Sequence, residues 1–142
     1  MKLYFKALVI ISMVTFISCN SSENTTAVEM SKLIGTWKLK SITGADVSMN
    51  VLYPDKLPWF IFNEYDNKIS GNTSCNLWST TFTISNNTIK FNKGIATKIY
   101  CDSEGESLFL KMIAKVDNYT FDSKNILCLK EGNVLLMKFT RK

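Results

Sequence analysis

The chain has 142 residues, a formal net charge of +5 and no histidine. The lack of histidine excludes Ser-His-Asp and Cys-His catalysis and removes the commonest transition-metal ligand. Lysines stand singly, at Lys38, Lys40, Lys68, Lys90, Lys93, Lys98, Lys111 and Lys115, without the basic block that marks a nucleic-acid partner. An enzyme built from this chain would need carboxylates, lysine or a lone cysteine, and no recognisable spacing groups them.

At the N-terminus, Lys2 and Lys6 precede an apolar run from Ala7 to Ile17, followed by Ser18 and Cys19. Lysines, an apolar segment and a small residue are the parts of a secretory signal. The run is too short to cross ~30 Å of hydrocarbon as a helix, which takes about 20 residues. With Phe16-Ile17-Ser18-Cys19 as its lipobox, the segment resembles a bacterial lipoprotein signal. That resemblance implies removal of residues 1–18 and lipidation of Cys19, with palmitate-type chains holding the protein to the cell envelope, at the outer membrane. The polar stretch from Asn20 to Glu29 has no apolar periodicity and reads as a tether. We therefore divide the chain into a signal (1–18), a lipidated N-terminus and tether (19–31), and one folded unit (32–142).

Within that unit, Thr36-Trp37-Lys38-Leu39-Lys40 alternates as a half-buried strand. Trp59-Phe60-Ile61-Phe62 is apolar on both faces, as a strand covered on two sides would be, and leads through a turn to a strand around Lys68-Ile69-Ser70. Thr80–Ile84 and Thr88–Phe91 flank Ser85-Asn86-Asn87 as a hairpin, with Ile89 and Phe91 on one face. The period then changes: Leu108, Phe109, Met112, Ile113 and Val116 form one helical stripe. Ser103 and Glu106 have capping-box spacing, which predicts a helix over about residues 103–116. Strands Tyr119–Phe121, Ile126–Leu129 and Val134–Phe139 end the chain, with Gly132-Asn133 as a turn and Leu135, Met137 and Phe139 on one face. The fold class is α+β, an antiparallel sheet with one helix.

Three segments carry a family resemblance: Gly71-Asn72-Thr73-Ser74-Cys75-Asn76, Thr97-Lys98-Ile99-Tyr100-Cys101 and Glu106-Ser107-Leu108-Phe109-Leu110. Framed by Leu33-Ile34-Gly35-Thr36-Trp37 and Leu135-Leu136-Met137-Lys138-Phe139, this ordered set resembles the META domain family of HslJ-like small envelope lipoproteins. The chain departs from the family pattern at Ser74, commonly glycine, at Leu77, commonly arginine, and at Ile99 and Tyr100 before the second cysteine. The resemblance implies a partly barrel-like antiparallel sheet with one packed helix, and Gly71, Cys75, Asn76, Thr97 and Cys101 as the family motif. It also implies that Cys75 and Cys101 come together as a disulfide in an exported protein, the alternative being two neighbouring free thiols. By their own residue chemistry, Gly71 reads as a turn or bulge glycine and Asn76 as a local backbone ligand. Cys128, flanked by Leu127 and Leu129, reads as a strand residue facing away from them with a free thiol.

The opening Gly35-Thr36-Trp37 also resembles lipocalin-like domains, which would want eight up-and-down strands and a helix after the last. A helix placed before the final three strands favours the META reading. The expectation is a non-enzymatic, membrane-anchored lipoprotein with an interaction domain and an envelope protein partner, linked at family level to stress or drug tolerance. No cofactor, metal or small-molecule ligand is expected. The alternative is a lipocalin-like carrier whose cavity is lined by Trp37, Trp59, Trp78 and the phenylalanines.

Overall fold

The computed structural model describes residues 30–142; the signal segment and Cys19 lie outside the described residues. Nine strands follow in order: β1 (Gly35–Ile42), β2 (Trp59–Phe62), β3 (Lys68–Asn72), β4 (Leu77–Ser85), β5 (Thr88–Phe91), β6 (Ile95–Ala96), β7 (Asn118–Phe121), β8 (Leu127–Glu131) and β9 (Val134–Arg141). Two helices interrupt them, α1 (Met49–Leu52) and α2 (Gly105–Ile113).

Each barrel strand pairs antiparallel with its neighbour, from β1 to β2, β3, β4, β5, β7, β8 and β9, and β9 returns to β1. The result is a closed eight-stranded barrel, where the sequence led us to expect a sheet only partly curled. Closure removes both sheet edges, the liability an open sheet would carry. The strands run up and down, so the strand count alone fits a lipocalin-like domain equally well. What separates the two is α2, which enters before the last three strands. Strand β6 continues the edge of β4 that β5 occupies further along, pairing with its first residues through Trp78 opposite Ala96 and Ser79 opposite Ile95.

Alternation sends Trp37 and Leu39, Phe60 and Phe62, Trp78 and Phe82, Ile89, Tyr119, Leu127 and Leu129, and Phe139 inward, all buried. Trp59 and Ile61 are only half-buried, so β2 is not covered on both sides as its composition led us to expect. Two bulges break the alternation. A register shift between Leu39 and Ser41 puts Ile42 in the core, and one between Leu129 and Lys130 makes Leu136 a core residue beside Met137. Leu135 is consequently half-buried and does not share the inner face with Met137 and Phe139.

An eight-stranded barrel can be filled by side chains or hold one small ligand, and large aromatics fill this one. Phe60 packs on Phe139 with ring centroids 4.6 Å apart, and Phe62 meets Phe82 edge-on at 5.0 Å. Each such buried phenylalanine contributes roughly 1.5–3 kcal/mol relative to exposure. Residues 30–34 lie at one end, where the Trp37 indole N–H donates to Leu33 O at 2.7 Å and the Arg141 guanidinium sits 4.6 Å from the Trp37 ring. Met30, assigned from sequence to the tether, already packs against the core.

The opposite end is covered by α1 and α2. Helix α2 directs Phe109 against Trp78 and Phe139. Its Gly105 allows close contact, since a Cβ there would lie 2.4 Å from Leu52 O. Tyr53 donates its phenol to Gly105 O at 2.9 Å, and burial pushes that phenol well above the ordinary tyrosine range. The helix is shorter than its apolar stripe, ending at Ile113 although Val116 is still buried. Its N-terminus is not the Ser103–Glu106 capping box: Glu104 occupies the cap position without a side-chain bond, and the Glu106 carboxylate is engaged by Thr73 and Asn76.

Candidate functional site

The helix-covered end gathers the β3–β4 loop, the segment after β6 and the first turn of α2. The loop is built by local bonds. Asn72 Oδ1 accepts from the Ser74 N–H at 2.9 Å, and the Thr73 N–H donates to Asn76 O at 2.9 Å. This folds the backbone so tightly that Ser74 sits at φ 97°, a region suited to glycine. Asn72, Thr73, Ser74 and Asn76 are all buried.

Asn76 is the hub. Its Oδ1 accepts from the Thr97 hydroxyl at 2.6 Å and from the Ile99 N–H at 2.8 Å. Its amide donates to Ile99 O at 3.1 Å and to Glu106 Oε2 at 2.7 Å, with Cys101 Sγ at 3.3 Å. The second Glu106 oxygen accepts from the Thr73 hydroxyl. One side chain thereby ties loop, segment and helix together, and the Glu106 carboxylate is held by charge-assisted bonds. Asn76 does bond backbone, but of the distant 97–101 segment, a reach its sequence neighbourhood does not reveal.

Cys75 and Cys101 are joined by a disulfide, with Cα atoms 6.0 Å apart. Among the described residues Cys128 is the free cysteine; it faces away from Leu127 and Leu129, yet is buried. Cys75 Sγ, Cys101 Sγ and a Glu106 oxygen lie within 4.8 Å of one another. With both sulfurs bonded to each other neither is a thiolate, so the cluster offers a metal one carboxylate and little else.

The motif residues thus converge, except Gly71. It lies mid-strand in β3, between Phe60 and Trp78, in regular register on both sides. It is neither turn nor bulge: a Cβ there would lie 2.1 Å from Trp59 O and 2.6 Å from Phe60 Cα, so glycine answers a close backbone approach. Thr97 also accepts from the Leu77 N–H, at 3.1 Å. Sequence reasoning missed Thr73 and Glu106 as members of the web. A buried polar run beside a cysteine, and an acid five residues after another, carry no periodicity that would have paired them.

Beside this end, on the outer wall, lies an apolar groove of about 480 Å³. Its floor is Ser70, Gly71 and Ser79, and its walls are Trp59 on one side and Leu77 and Ile95 on the other.

A small up-and-down barrel, one end covered by a helix and pinned by a disulfide between two hydrogen-bonded segments, defines the structural class. The META domain matches residues 31–142, and the chain belongs to that family. A comparison with curated proteins returned no match. In structure the chain is similar to a protein from Burkholderia xenovorans solved by NMR, with TM-score 0.61 and 16% identity, covering 82% of this chain and 88% of that one. It is also similar to the crystal structure of a duf4847 family protein from Bacteroides vulgatus, with TM-score 0.58 and 18% identity, covering 81% of this chain and 97% of that one. At these identities the likeness shows the fold alone.

Proposed function

We propose that the protein is a non-enzymatic lipoprotein of the bacterial envelope, in which an acylated Cys19 holds a META barrel at the outer membrane as an interaction module. The observation that carries this reading is Cys19 itself, placed directly after an apolar segment and Ser18 and before a polar tether. Two or more acyl chains give stable attachment where one does not. The chemistry of the motif end supports a non-catalytic role. Its polar groups bond one another, its cysteines bond each other, and Cys128 is buried. The aromatic core occupying the barrel interior weighs against the lipocalin-like carrier. A link to stress or drug tolerance, through an envelope protein partner, belongs to this proposal at family level only.

The test is fractionation of the expressed precursor. Wild-type protein should sediment with membranes and be released by deacylation, whereas Cys19→Ala should stay unprocessed or become soluble. Normal maturation and membrane retention of Cys19→Ala would refute the anchor.

A further inference from the structure

We infer that the groove between Trp59 and Ile95 is a docking face for an anionic lipid surface, the headgroup layer of the leaflet that holds the anchor. The pleat builds this face. Trp59 alternates with the inward Phe60, and register sets Ser70 opposite Ile61 and Ser79, and Ser79 opposite Ile95, so Trp59, Ser70, Ser79 and Ile95 share the outer side of the barrel. Ser70 and Ser79 form a low floor between larger apolar walls. Leu77 is 62% exposed and Ile95 76%, large values for aliphatic side chains standing side by side. Beyond them Ile99 and Tyr100 are also exposed.

Charge selects the occupant. Lys38 stands directly opposite Trp59 on the same face, and Lys93 and Lys98 bracket β6; all three are exposed. Lys68, nearby, is paired with Asp66 at 3.4 Å. Tryptophan, tyrosine and aliphatic tips ringed by lysine match the boundary of a bilayer, where amphipathic rings and cations settle. The other exposed apolar cluster, Val47 and Val51, is rimmed by Asp46, Asp102 and Glu104, which anionic headgroups would repel.

Chain length supplies the encounter. The segment 20–29 reaches at most roughly 36 Å when fully extended, so a barrel tethered at Cys19 stays beside its membrane. Tethering raises the effective concentration, and a weak intrinsic affinity then suffices to orient the domain. This part rests on the anchor proposal; the composition of the groove does not.

The experiment uses residues 20–142, which hold every described element and carry no acyl group, with vesicles at millimolar lipid. Vesicles of phosphatidylglycerol and phosphatidylethanolamine should sediment the protein and shift its tryptophan emission to the blue. Phosphatidylcholine vesicles should do so far less. Leu77→Ser with Ile95→Ser should weaken binding about tenfold. Lys38→Gln with Lys93→Gln should weaken it about fivefold for each charge removed. Trp59→Phe should abolish the emission shift while sedimentation persists, and Val51→Ser should change nothing. All sites are exposed or half-buried, and melting curves confirm that each variant is folded.

No sedimentation with anionic vesicles overturns the inference, as does binding insensitive to Leu77→Ser with Ile95→Ser. So does a dimer that Ile95→Ser abolishes, or a melting rise with a soluble fatty acid but no vesicle binding. Vesicle binding alongside membrane retention of Cys19→Ala removes the anchor and leaves the docking face. Confirmed lipidation without vesicle binding removes the docking face alone.

Discussion

Replacing Asn76 by alanine tests whether the motif end is a structural clasp. Four conventional hydrogen bonds terminate on this side chain: Thr97 at 2.6 Å, the Ile99 N–H at 2.8 Å, Ile99 O at 3.1 Å and Glu106 at 2.7 Å. The three neutral ones contribute roughly 1 kcal/mol each, and the one to a carboxylate roughly 1.5–3 kcal/mol. The gross loss is therefore about 5 kcal/mol. Two features reduce it: Thr97 and Ile99 lie where water can reach them, and Glu106 keeps the Thr73 hydroxyl. We expect a net cost of about 3 kcal/mol, a large part of the ~5–15 kcal/mol available to a domain. The melting midpoint should fall by about 10 °C.

Urea unfolding of oxidised protein, followed by tryptophan emission, measures the effect; the midpoint should move while the slope stays constant. A cost below about 1 kcal/mol at unchanged slope would refute the clasp. Asn76→Asp sharpens the test. It retains the acceptor for Thr97 and Ile99 but sets a second carboxylate where the amide met Glu106 at 2.7 Å. Two carboxylates so close disfavour joint ionisation. The introduced group then has a folded pKa raised above its unfolded value of about 4. Its favourable contribution is present below that value and lost as pH rises through the folded one. Asn76→Asp should thus approach wild-type stability in acid and fall well below it at neutral pH, whereas the Asn76→Ala deficit should change little between the two.

Two further variants probe the same end. The disulfide closes a loop of 26 residues, worth about 3.5 kcal/mol on the chain-entropy account. Cys75→Ser with Cys101→Ser should lower stability by 2–4 kcal/mol, and reductant should bring wild type to the same midpoint; a wild-type midpoint indifferent to reductant would remove the bond from the stability account. Ser74→Gly should stabilise the protein by roughly 0.5–1 kcal/mol, because relief of the φ 97° strain exceeds the added freedom of the unfolded chain; a lower urea midpoint would show that the serine is not strained.

What could be read from the sequence was whatever a period encodes. The strands around Trp37, Phe60, Phe82, Tyr119 and Phe139 and the α2 stripe announce themselves because burial on one face imposes alternation or a 3.6-residue repeat. Barrel closure was less legible, since it depends on β9 finding β1 across the length of the chain, through pairs such as Leu39 with Phe139. Bulges are invisible for a related reason: Leu136 is an ordinary strand residue until its partner strand is known. Strand β6 is only two residues long, too short to show alternation.

The site was legible as a set of residues and not as a mechanism of assembly. Glu106 makes the point: three residues after Ser103 it satisfies a local capping pattern, yet the structure gives it to Thr73 and Asn76. A capping box satisfies two backbone donors at a solvent-accessible helix end, where water is an adequate substitute. The Asn76 amide is buried and would be costly to leave unpaired. The competition for one carboxylate is decided by the partner that water cannot serve, and that partner is set by the fold, thirty positions away in sequence. The same logic explains why an asparagine, with two donors and an acceptor on one short side chain, occupies the junction where three separate segments must be satisfied at once.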